Sequence, residues 1–123
     1  MRLYVAGKFE DHDECRMIMD RLEEQGHIIT CDWTNHEYSD KAYPTKYCQD
    51  DIKGVQDCDC LIFNAFNERK YSGALVEMGI ALGLDKPVLI LGHGIDTCIF
   101  THSPLVKKFD NMKDLLEALC RPL

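Results

Sequence analysis

Long apolar runs are missing from this 123-residue sequence. No window approaches the ~18 consecutive apolar residues of a membrane span, and the first residues show no secretory signal pattern. The expectation is a cytoplasmic protein with no membrane partner. Positive charge is also in short supply: 14 Lys and Arg against 21 Asp and Glu leave a net charge of −7. That balance argues against polymeric nucleic acid, although a single nucleotide stays open because backbone amides can hold its phosphate.

Several signatures of known chemistry are absent too. Gly7-Lys8-Phe9 and Gly92-His93-Gly94 fit neither the Walker phosphate loop nor G-x-G-x-x-G. There is no G-x-S-x-G nucleophile elbow. His36, His93 and His102 are scattered, with no H-x-x-x-H spacing, so no metal is expected. The seven cysteines (15, 31, 48, 58, 60, 98 and 120) form no C-x-x-C pair and are odd in number, and they read as reduced packing residues. Neither an internal repeat nor a linker appears, so residues 1–123 are expected to form a single domain.

What is present alternates between two periodicities. Residues 2–6, 27–31, 59–66 and 87–92 read as strands, with a further edge strand near 105–109. Cys15, Ile18, Met19 and Leu22 mark one face of a helix closed by Gly26. A second helix is expected over 46–56 with Cys48, Ile52 and Val55 inward. A third starts after a Ser72 cap and ends near Gly83, and a fourth carries Met112, Leu115, Leu116 and Leu119 behind an Asn111 cap. Residues 33–45 read as a loop. Strands apolar on both faces, alternating with amphipathic helices, predict an α/β doubly wound parallel sheet, flavodoxin-like or Rossmann-like, with helices on both faces. Ligands bind such sheets beyond the carboxyl ends of the strands. That edge should gather Gly7, Phe9, Trp33, the segment 64–71 and residues 92–94.

One acid stands out. Glu77 lies in "ALVEMGIAL", apolar on nearly every face, and a buried carboxylate is costly unless paired, neutralised or used. Gly73 and Ala74 leave room beside it for a substrate, and the amides of Ser72, Gly73 and Ala74 suit an anion or a sugar hydroxyl. Alternatively Glu77 lies on an exposed stripe, or pairs with Lys70 or Lys86. Asp59 opens a buried strand and is either functional or a turn residue. Tyr4 is either a core residue or a catalytic one, and Trp33 either packs or stacks on a base.

"LYVAGKF", "GHIITCDW", "DCDCLIFNAF" and "SGALVEMGIALGLDKPVLILG" occur in that order. Together they resemble the nucleoside 2-deoxyribosyltransferase family, which includes hydrolases cleaving the N-glycosidic bond of nucleoside monophosphates. The most specific part is E-x-G-x-A-x-x-x-x-K-P at 77–87.

The resemblance implies a glycosyl-enzyme intermediate on Glu77. It also implies that Asp59 contacts or protonates the base and that Tyr4 orients the nucleophile, with Gly7 and Phe9 lining the pocket. No cofactor is implied. Relatives acting on free nucleosides carry an aspartate where this chain has Tyr71, and nucleotide hydrolases place a phosphate-binding serine close to the position of Ser72. In relatives the segment after 93 completes a neighbour's active site, which nominates "FTHSPL" with Ser103 and implies a homodimer or higher even oligomer. The alternatives are a non-catalytic nucleotide-sensing module and an NAD-cleaving glycohydrolase.

Overall fold

The structure, a computed structural model, describes residues 1–36 and 44–121. Strand β1 (Arg2–Ala6) leads through a 3-10 turn at Phe9–Asp11 into α1 (His12–Glu24) and then β2 (Ile28–Ile29). A 3-10 turn at Trp33–Asn35 precedes α2 (Pro44–Asp57), β3 (Cys60–Asn64), α3 (Gly73–Gly83) and β4 (Val88–Leu91). After a 3-10 turn at Ile99–His102 come β5 (Val106–Phe109) and α4 (Met112–Leu119).

The strands pair in the order β2-β1-β3-β4-β5, all parallel. This is the flavodoxin-like member of the doubly wound class, whose order reverses between β1 and β3. The three inner strands show why their sequences are continuously apolar. Leu3 to Ala6, Cys60 to Phe63 and Val88 to Leu91 are all fully buried, because helices cover both faces. α2 packs on α3 over one face, and α1 and α4 flank a shared groove on the other. Among the described residues no helix is long and apolar enough to cross a membrane.

Boundaries shift by a few residues from the sequence expectation, and two local readings change. Part of the anticipated 33–45 loop is helical at both ends, at Trp33–Asn35 and from Pro44 onward, while 37–43 lies outside the described residues. α2 turns Gly54 and Val55 into the core, but Cys48 and Ile52 are exposed. Gly54 is required there by a close approach: a Cβ would sit 2.7 Å from the Cys31 Cβ and 3.0 Å from the Tyr4 ring. This contact seats α2 against β1. Asn111 caps α4 as expected, accepting from the Asp114 amide at 2.9 Å.

Candidate active site

A cleft of about 410 Å³ opens at the carboxyl ends of β1 and β3, where the strand order reverses. Glu77 reaches it because α3 starts at the rim and places residue 77 one turn beyond Gly73. Ala74, Met78 and Ala81 face the core, and Val76 faces solvent. Glu77 falls between these faces, part-buried on the cleft wall. It is neither on an exposed stripe nor paired with Lys70 or Lys86. Among the described residues it makes no ion pair, and Lys86 instead donates to the carbonyls of Val55, Gln56 and Cys58 at the end of α2.

The partner of Glu77 is Tyr4. Its fully buried hydroxyl donates to Glu77 Oε2. Burial pushes the Glu77 carboxyl up to about 8, the Tyr4 hydrogen bond opposes that rise, and the charge of Asp51 adds to it. Tyr4 itself is raised well above its ordinary value, first by burial and then by the charge of Glu77. At neutral pH this tyrosine keeps its proton and can donate it to Glu77.

Asp51 is the second carboxylate of the cleft. It sits one turn before Gly54, so the close seating of α2 carries it inward. Burial raises its pKa and the neighbouring Asp50 charge adds to that, while His36 and a hydrogen bond from the Cys31 thiol act against it. Asp51 was not singled out from the sequence. It shares a helical face with Cys48 and Val55, but Cys48 is exposed, so that spacing alone does not mark Asp51 as inward.

The remaining wall brings together several of the anticipated residues. Gly7, Phe9, Trp33, Ser72 and Gly73 all line the cleft, with Lys8 and Tyr71. Trp33 is buried and fixed by its indole N–H, which donates to the Val5 carbonyl at 2.6 Å. Gly7 is needed because a Cβ would lie 2.5 Å from the Cys15 sulfur. Ser72 occupies the N-cap position of α3, yet its hydroxyl makes no capping bond, contrary to expectation. The loop before α3 is pinned to the segment after β1: Arg69 and Asn67 donate to the buried Asp11 carboxylate, and Lys8 donates to the Lys70 carbonyl at 2.7 Å. Tyr71 donates to the Asn67 carbonyl at 2.6 Å.

Two anticipated residues do not join this group. Asp59 lies at the amino end of β3, exposed, where its carboxylate accepts from the Arg2 amide at 2.8 Å. It is a turn residue tying β3 to β1, at the opposite end of the sheet from the cleft. Ser103 ends the 3-10 turn after β4, and its hydroxyl accepts from the Leu105 amide at 3.2 Å, outside the cleft of its own chain.

A parallel sheet with a cleft at its switch point, walled by two carboxylates of raised pKa, is the kind of arrangement found at the sites of α/β enzymes. The profile of the nucleoside 2-deoxyribosyltransferase family matches residues 3–115, and the chain belongs to that family. It is accordingly an enzyme of the nucleoside deoxyribosyltransferase or N-glycosidase type.

Solved structures share the fold. The CMP N-glycosidase BcmB of Clostridium botulinum superposes with a TM-score of 0.65 at 20% identity, covering 98% of each chain. A 2-deoxyribosyltransferase from Bacillus psychrosaccharolyticus gives 0.69 at 15% identity, over 94% of this chain and 90% of that one. A conserved protein of Enterococcus faecalis V583 gives 0.72 at 15%, over 100% and 99%. No curated protein sequence matches.

Proposed function

We propose that the protein cleaves the N-glycosidic bond of a nucleoside 5′-monophosphate, with Glu77 as nucleophile, Asp51 as the acid and Tyr4 as the positioning hydroxyl. The observation that carries this reading is the hydrogen bond from the buried Tyr4 hydroxyl to Glu77, in a cleft that Asp51 also lines. Departure of the base leaves positive charge on the sugar, so a carboxylate beneath it stabilises that charge and then bonds to the anomeric carbon. The base leaves more easily when a second acid gives it a proton. Burial holds the proton on Glu77, and the Tyr4 hydrogen bond acts against it by favouring the charged form the nucleophile needs. Water, or a second base, then attacks the glycosyl-enzyme.

The monophosphate preference is supported by the rim. Lys8, Ser72 and Gly73 gather at the start of α3, where amides and dipole favour a dianion, and Tyr71 stands there without a negative charge. Phe9 and Trp33 offer apolar surface for a base. A homodimer is part of the reading: Ile99 and Phe100 are 74% and 64% exposed beside Ser103, an apolar surface suited to closing a neighbour's cleft.

The deciding experiment incubates the protein with nucleosides, their 5′-monophosphates and NAD, and follows free base by chromatography. Release from a monophosphate at higher kcat/KM than from its nucleoside is expected. Equal values would overturn the phosphate preference, and release from NAD alone would overturn the substrate class.

A further inference from the structure

On the α2 side of the cleft, three side chains of different chemistry converge. Cys31 follows β2, His36 closes the 3-10 turn at Trp33–Asn35, and Asp51 comes from α2. One ligand atom from each lies within 4.8 Å of the other two. Cys31 Sγ is 3.6 Å from Asp51 Oδ1, and His36 Nδ1 is 3.9 Å from the same oxygen. All three residues are part-buried.

We propose that Cys31, His36 and Asp51 form a binding site for a divalent cation of the zinc class, and that an ion held there suppresses base release.

Thiolate, imidazole and carboxylate together are the donors that zinc, cobalt(II) and cadmium take, whereas magnesium and calcium prefer oxygen alone. In a tetrahedral site with metal–sulfur bonds of about 2.3 Å and metal–nitrogen or –oxygen bonds of about 2.0 Å, neighbouring ligand atoms stand about 3.3–3.6 Å apart. The observed 3.6 and 3.9 Å come within about half an ångström of that. The donors are also held. The His36 ring stacks on Tyr47 with centroids 4.0 Å apart and planes 9° from parallel. The Cys31 Cβ abuts Gly54, and Thr30 beside it donates to the Gly54 carbonyl at 2.7 Å.

Three protein ligands leave a fourth position for water. On binding, the Cys31 thiol proton passes to solvent, and the sulfur and Asp51 oxygen each bond the ion instead of one another. A bound ion also takes the Asp51 oxygen that would otherwise carry the proton for the leaving base. The suppression therefore rests on the proposed acid role of Asp51; the metal site itself does not.

Cobalt(II) is the probe for the site. Titration of the full chain is expected to give one equivalent of tetrahedral cobalt absorption, with a thiolate-to-cobalt charge-transfer band. Cys31→Ser should lose that band, His36→Ala should weaken binding at least tenfold, and Cys48→Ser, which changes a thiol on the cleft wall, should retain both. Thermal melts of each variant establish folding. No thiolate band in the wild type, or a band lost in Cys48→Ser and kept in Cys31→Ser, overturns the site. In the second arm, zinc should inhibit base release at least tenfold less in Cys31→Ser than in the wild type. Equal inhibition, or none in a protein that binds cobalt as described, overturns the suppression. Should the wild type release no base from any nucleotide, the functional reading fails while the cobalt titration still decides the site.

Discussion

The Tyr4 hydroxyl donates to Glu77 Oε2, joining an interior strand of the sheet to the second turn of α3. A tyrosine fully buried in β1 has a fixed ring, so the acceptor oxygen is held as well. The cost of placing a carboxylate on an apolar helix is thus met by one aimed donor rather than by a lysine. The proposed nucleophile role needs that difference, because a salt bridge would neutralise the charge such a role uses.

Tyr4→Phe removes this donor while keeping the ring. The Tyr4 hydrogen bond lowers the Glu77 pKa, so its loss raises that pKa further. The rising limb of kcat/KM against pH should move to higher pH, and the rate at neutral pH should fall by about tenfold to a hundredfold. An unmoved limb would show that Tyr4 does not act through Glu77.

Glu77→Gln has a consequence for stability as well. Burial raises the Glu77 carboxyl from an ordinary 4.5 to about 8 in the folded chain. The folded state therefore holds the proton more tightly than the unfolded one. The stability linked to that proton is complete below pH 4.5 and is lost as pH rises through about 8. Glutamine does not titrate. The variant should melt close to the wild type at pH 4.5 and above it at pH 9, by an amount on the order of 2–4 kcal/mol. Melts at the two pH values check both sign and window.

Gly54→Ala inserts a methyl group where the Cys31 Cβ is 2.7 Å and the Tyr4 ring 3.0 Å away. α2 must move off the sheet and take Asp51 with it. A loss of about 1–3 kcal/mol in denaturant unfolding is expected, together with a fall in kcat. Ala is ordinarily the better helix former, so a stabilised variant would contradict the close seating of α2.

Assembly is checked by sedimentation. Phe100→Glu places a charge on the exposed apolar turn beside Ser103. It should convert a dimer to monomers at micromolar concentration with loss of activity. A wild type that is monomeric and fully active would contradict the shared cleft.

The sheet was largely legible because its inner strands are buried on both faces and so read as unbroken apolar runs. Glu77 was legible for the same reason, as the exception within an apolar helix. Asp51 was not. Its neighbourhood, "YCQDDIKG", is polar, and only the tight approach permitted by Gly54 turns one of its two aspartates inward. Asp59 misled in the opposite direction. An acid beside a buried strand looks purposeful, but strand polarity puts it at the amino end, away from where a parallel sheet binds ligands. The meeting of Cys31, His36 and Asp51 was equally hidden, since residues 5 and 20 positions apart on a turn and a helix form no spacing motif.

The central claim is that Glu77 is the nucleophile, and the most direct test is base release by Glu77→Gln from the best nucleotide substrate. The side chain keeps its shape and its contact with Tyr4 but cannot bond the sugar. The account predicts a fall of at least about a thousandfold in kcat with an unimpaired melting temperature at neutral pH. Turnover above about a tenth of the wild type, equivalent to less than roughly 1.4 kcal/mol of barrier, would contradict it.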